Sequence, residues 1–158
     1  MYKRILLSYD GSIESLRALR EGTLLARACH ADVFLLSVVP VTAGTLIVES
    51  GSSGLMAAQN QEYIALLKRA TDKLKELGIE HKARLVEGEP TPAIAAVAKE
   101  ISADLVIVGH RSKGLLSRWW SGSKHDYLSD YLNCSLLIAR NPLSDEEFDR
   151  ALKAFVSA

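Results

Sequence analysis

A chain of 158 residues with 19 basic and 19 acidic side chains, and so a formal net charge of zero, suits one domain that buries about two thirds of its unfolded surface in a single core. The balanced charge leaves no overall field to draw the protein to nucleic acid or to an anionic membrane, so a charged ligand has to be held by a local site. Met1-Tyr2-Lys3-Arg4 leads into an apolar stretch that ends before Asp10, too short for a secretory leader or a membrane span, and the expected compartment is the cytoplasm. Cys29 and Cys134 have no metal-ligand spacing and make no disulfide framework; both are expected as buried packing residues.

Strand-like and helix-like patterns alternate along the chain, the signature of an α/β domain with a mainly parallel sheet. A first strand is expected over residues 4–9, then a helix capped by Ser12, with Glu14 near its positive end and Ala18, Gly22, Leu25 and Cys29 on one face. A second strand is expected over 33–39. Between Val39 and Ala57 lie Gly44, Ser50, Gly51, Ser52, Ser53 and Gly54, a connection longer than most ordered loops and so expected as a flap or a tolerated insertion. The next helix carries its apolar stripe on Tyr63, Leu66, Leu67, Ala70, Leu74 and Leu77 and stops at Gly78, suited to a left-handed cap. After a strand over 81–86, Thr91 as cap with Pro92 at the first helical position opens a helix facing inward through Ile94, Val97, Ala98 and Ile101. Strands over 105–108 and 135–139 complete the set. Pro142 and a capping box, Ser144-Asp145-Glu146-Glu147, then begin a final helix with Phe148, Leu152 and Phe155 on one side. That side needs a partner, either its own domain or a second subunit.

The segment Gly109-His110-Arg111-Ser112-Lys113-Gly114, followed by Gly122-Ser123, carries the clearest chemical signal. It leaves the carboxyl end of an apolar strand, and Ser123 is expected to open a helix through Tyr127, Leu128, Tyr131 and Leu132. Amides at a helix start lack intrahelical acceptors and, with the helix dipole, favour an anion. Arg111, Lys113, Arg118 and Lys124 fall in the same segment. Leu115, not lysine, follows Gly114, which excludes a Walker A loop, and the dinucleotide fingerprint is absent. His110 and His125 are expected as solvated side chains and Trp119-Trp120 as packing. Neither histidine has a nucleophile or a carboxylate orienter at motif spacing, so hydrolase or transferase chemistry is not expected.

Three stretches together resemble the universal stress protein family: Ile5-Leu6-Leu7-Ser8-Tyr9-Asp10-Gly11-Ser12, Gly88-Glu89-Pro90 through Ala103-Asp104-Leu105-Val106-Ile107-Val108-Gly109, and Gly122-Ser123 through Cys134-Ser135-Leu136-Leu137-Ile138. The resemblance covers the chain to about Arg140 and implies a universal stress protein domain over 1–140 with a helical extension over 141–158. The implied fold is a three-layer sandwich of the adenine nucleotide alpha hydrolase-like kind, with a five-stranded parallel sheet of order 3-2-1-4-5 and helices on both faces. In that order the connections after strands one and four diverge and leave a crevice beyond their carboxyl ends.

Nucleotide-binding members carry a phosphate loop of glycine, two residues, glycine, nine residues, glycine, then serine or threonine. Gly109, Gly122 and Ser123 match it, while Ser112 replaces the second glycine and Ser8 stands where such members often have proline. By the family pattern Asp10 contacts the adenosine part, the Val38 backbone meets the adenine edge, and Gly109, Ser112, Gly122 and Ser123 surround the phosphates. The resemblance thus implies an ATP- or AMP-binding sensor or regulator, with magnesium on the phosphates, no more than slow hydrolysis, and a homodimer often formed through the last strand. The alternative is a nucleotide-independent dimeric interaction module in which Ser8 and Ser112 have disabled the site.

Overall fold

The computed structural model describes residues 1–40, 53–110, 127–140 and 142–156. In chain order these form β1 (Arg4–Ser8), α1 (Ile13–Cys29), β2 (Asp32–Pro40), α2 (Ser53–Glu76), β3 (His81–Gly88), α3 (Pro90–Glu100), β4 (Leu105–Gly109), α4 (Leu128–Tyr131), β5 (Ser135–Ala139) and α5 (Asp145–Val156). All the strand pairs are parallel, and the sheet order is β3-β2-β1-β4-β5, as the resemblance implied.

The layers follow from the period of two along each strand. Ile5 and Leu7 of β1, Val33 and Leu35 of β2, and Leu105 and Ile107 of β4 pack with Ala18, Leu19, Ala26, Ala70 and Leu74 of α1 and α2. Leu6, Leu36, Val106 and Val108 point the other way, onto Ile94, Val97 and Ala98 of α3 and Leu128 of α4. Each central strand is buried on both faces, which is why its sequence is a continuous apolar run rather than an alternating one. At the amino ends of the strands, the Asp104 carboxylate accepts the amides of Lys3 at 2.7 Å and Arg4 at 3.1 Å.

Helix boundaries correct the sequence reading in three places. Two prolines in the first turn move the start of α3: the helix opens at Pro90 with Glu89 extended as its cap, and Thr91 lies buried inside it. Amides of a first turn have no intrahelical acceptor, so neither proline removes a bond. Helix α2 begins at Ser53, inside the stretch expected as a flap; residues 41–52 of that stretch lie outside the described residues. The helix expected to run from Ser123 is a single turn at Leu128–Tyr131, and Tyr127 before it is extended, with φ −80° and ψ 141°. Within 127–131 only Leu128 is buried, while Tyr127 and Tyr131 are exposed. One turn is all that the packing of Leu128 requires.

Several other expectations hold, and the burial of the cysteines does not. Ser12 caps α1. Gly78 ends α2 at φ +66°, its amide bonded to the Lys75 carbonyl at 2.9 Å. Helix α5 has its capping box: Ser144 Oγ accepts the Glu147 amide at 3.2 Å, and the Glu147 carboxylate accepts the Ser144 amide at 2.9 Å, which holds the Glu147 carboxyl below the usual glutamate range. Its apolar side docks on its own domain through Phe148, while Leu152 is half-buried and Phe155 stays exposed. Phe148 is buried, and Arg20 of α1 donates to the Leu143 carbonyl at 2.6 Å, pairs with Asp145 and lies 6.0 Å from the Phe148 ring centre. Both cysteines are half-buried rather than buried; burial, then the Asp104 charge, pushes the Cys134 thiol above its usual pKa. Among the described residues no helix is long and apolar enough to cross a membrane.

Candidate functional site

Strands β1 and β4 lie side by side, with Leu7 opposite Ile107. The chain leaves β1 into α1 on one face of the sheet, while α4, the next described element after β4, packs on the other. This is the divergence that opens a crevice at the carboxyl ends of an α/β sheet. Asp10 follows the carboxyl end of β1, Gly109 ends β4, and Val38 lies near the same end of the neighbouring β2.

Asp10 is held by the turn it makes. Its Oδ1 accepts the Ser12 amide at 2.9 Å and the Ser12 hydroxyl at 2.5 Å. Ser12 Oγ in turn accepts the Ser15 amide at 3.1 Å, which starts α1. Gly11 between them has φ +80°, a left-handed conformation that favours glycine. The carboxylate thus shapes the turn at the carboxyl end of β1.

Tyr9 precedes Asp10 on the α1 and α2 side. Burial, and then the Asp10 charge, pushes its phenol above the usual tyrosine pKa, against a smaller opposing pull from Arg69. It therefore remains a neutral donor at physiological pH. The Tyr9 amide bonds to the Leu36 carbonyl at 2.8 Å, one step beyond the last paired residues, Ser8 and Leu36. Ser37 Oγ donates to the Tyr9 carbonyl at 2.6 Å. Backbone groups alternate sides along a strand, so Val38, two residues past Leu36, directs its amide and carbonyl to the side where β1 has already ended. That is the geometry a backbone reader of a flat polar ligand needs.

Gly109 is buried at the end of β4. A Cβ there would fall inside contact distance of the Glu14 carbonyl carbon and oxygen and 2.7 Å from the Ser15 nitrogen. The first turn of α1 rests directly on this glycine. Gly109 therefore has a packing reason to be glycine whatever its ligand. Ser112, Gly122 and Ser123 lie outside the described residues, and the structure brings together Asp10, Val38 and Gly109 of the expected set. Sequence reasoning missed Ser37; the only signal was a lone hydroxyl in an apolar strand. Among the described residues no group of three or more metal-binding side chains comes together.

The model of the family described as the universal stress protein family matches residues 1–140. The chain belongs to that family. Universal stress protein MJ0531 of Methanocaldococcus jannaschii is 29% identical to it over 146 residues, covering 90% of this chain and 84% of that protein. Among solved structures, a universal stress protein family member from Burkholderia pseudomallei superposes with a TM-score of 0.67 at 27% identity, covering 90% of this chain and 97% of that one. A universal stress protein solved in complex with cAMP gives 0.62 at 25% identity, covering 87% and 95%. Helix α5 falls beyond the part of this universal stress protein that the family model matches.

Proposed function

We propose that this universal stress protein binds an adenine nucleotide, ATP or AMP, in the crevice between β1 and β4 and acts by occupancy as a stress-response regulator rather than by turnover. The observation that carries the reading is Asp10, locked by Ser12 at the end of β1, with the Val38 backbone and the close-packed Gly109 at the same end of the sheet; the relative solved with cAMP supports the ligand class. A carboxylate accepts ribose hydroxyls, and a backbone amide or carbonyl reads an adenine edge. The described residues offer no cage of protein carboxylates, so magnesium would arrive on the nucleotide phosphates, as this hard cation commonly does. Free rather than bridged cysteines agree with a cytoplasmic setting.

Calorimetric titration of MgATP, AMP and cAMP into refolded, nucleotide-free protein tests the reading, alongside Asp10→Asn, which keeps an oxygen for Ser12 and removes the charge, and Gly122→Val. The expected result is saturable micromolar binding that Asp10→Asn weakens about tenfold or more, the value of a hydrogen bond to a charged group. Folded protein that binds none of the three leaves the interaction module.

The two sheet edges favour self-association in either case. Strand β3 exposes Lys82, Arg84 and Glu87, with Arg84 paired to the Glu100 carboxylate at 2.6 and 2.8 Å, the charged side chains that guard an edge. Strand β5, Ser-Leu-Leu-Ile-Ala, has no charge. We expect a homodimer joined through β5. Light scattering should give a dimer mass for the wild type and a monomer mass for Ser135→Lys, which puts a charge on the uncharged edge. An unchanged dimer in the variant would move the interface elsewhere.

A further inference from the structure

The Tyr9 carbonyl lies where the β1–β2 ladder stops. Rungs of a parallel ladder recur at every second residue, so after the bond from the Tyr9 amide to the Leu36 carbonyl the next in register would run from the Val38 amide to the Tyr9 carbonyl. That carbonyl takes the Ser37 hydroxyl instead, and the paired register ends at Ser8 and Leu36. Ser37 has 0% exposure among the apolar residues of β2. A hydroxyl buried there costs free energy unless bonded, and its bond goes to the residue immediately before Asp10.

We infer that Ser37 is a positioning residue of the crevice. Its hydroxyl anchors the Tyr9–Asp10 peptide to β2, which sets the Asp10 carboxylate over the start of α1. It also occupies the carbonyl that would draw in the Val38 amide, leaving that amide directed at the crevice, where it can donate to an acceptor nitrogen of a purine. The second role rests on the adenine-nucleotide reading; the first does not.

Amide hydrogen exchange of the ligand-free protein, comparing wild type, Ser37→Ala and Ser37→Thr, tests the anchoring, and titration with AMP and MgATP tests its consequence. Ser37→Ala should speed exchange at the Ser12 and Ser15 amides about tenfold, the value of one hydrogen bond lost to a buried carbonyl. The amides of Lys3 and Arg4, held by Asp104 at the opposite end of the sheet, should keep their rates. Nucleotide affinity should fall by a similar factor, and threonine, which retains the hydroxyl, should restore both. Unchanged Ser12 exchange, or a uniform rise at both ends of the sheet, overturns the inference and makes Ser37 a packing residue only. So does failure of threonine to restore either property in a variant that melts like the wild type. Selective loosening at Ser12 in a protein that binds no nucleotide keeps the anchoring role and defeats the nucleotide reading alone.

Discussion

Replacing Gly109 with alanine is expected to lower the free energy of unfolding by about 3 kcal/mol, the upper part of the usual range for overpacking. The added Cβ would meet the backbone of Glu14 and Ser15 rather than a side-chain tip that can swing aside. Either the first turn of α1 lifts or β4 shifts, and β4 is paired on both sides, to β1 and β5. Against a total stability of about 5–15 kcal/mol for a domain, such a loss moves the urea midpoint clearly while leaving the slope intact. Because the lifted turn contains the Ser12 cap that holds Asp10, nucleotide affinity should fall in the same variant. Asp10→Asn should separate the two, with affinity reduced and stability nearly kept. A stability loss under about 1 kcal/mol for the alanine variant, ordinary for a surface change, would show that α1 yields readily and would leave ligand contact as the reason for glycine.

Phe148→Ala is expected to undock α5 at a cost of about 3 kcal/mol, the low end for truncating a buried phenylalanine. The Arg20–Asp145 pair cannot hold the helix by itself: the Asp145 side chain is 82% exposed, and exposed ion pairs contribute about 0–1 kcal/mol. Phe148, at 4% exposure, supplies most of the docking. Among the described residues helix α5 makes its main contacts with α1, so the loss should stay local. Its amides should lose exchange protection while those of β4 retain theirs. Protection of α5 that survives the substitution would assign the docking to Arg20 and its bond to the Leu143 carbonyl.

The layers of the fold were legible because burial leaves a trace in spacing. The apolar runs at 5–7 and 105–108 mark strands covered on both faces, and the stripe from Leu66 to Leu77 marks α2. Strand order left no such trace, since periodicity says which face a residue takes and nothing about its neighbour; the order came from the resemblance. The α3 boundary misled because Thr-Pro is a strong start signal, whereas the cap in use is Glu89, whose side chain makes no capping bond. The spacing of Tyr127, Leu128, Tyr131 and Leu132 mimics a helical stripe, yet both tyrosines have one face in solvent. In the crevice, Asp10 was legible from its place at a strand end before glycine. Ser37 was not: its partner is a backbone carbonyl 28 residues away, and main-chain partners have no residue type to recognise.

The Asp104 clamp has a consequence for synthesis. It joins the amides of residues 3 and 4 to a carboxylate 101 and 100 positions later, so one side of β1 stays unpaired until β4 has been made. At a translation rate of about 5–20 residues per second, that wait is about 5–20 s. During it Ile5, Leu6 and Leu7, wholly or almost wholly buried in the finished protein, present an open apolar strand edge on the nascent chain. Nascent chains of this protein should therefore need a chaperone most while the ribosome is translating α2, β3 and α3, and that need should end when β4 emerges.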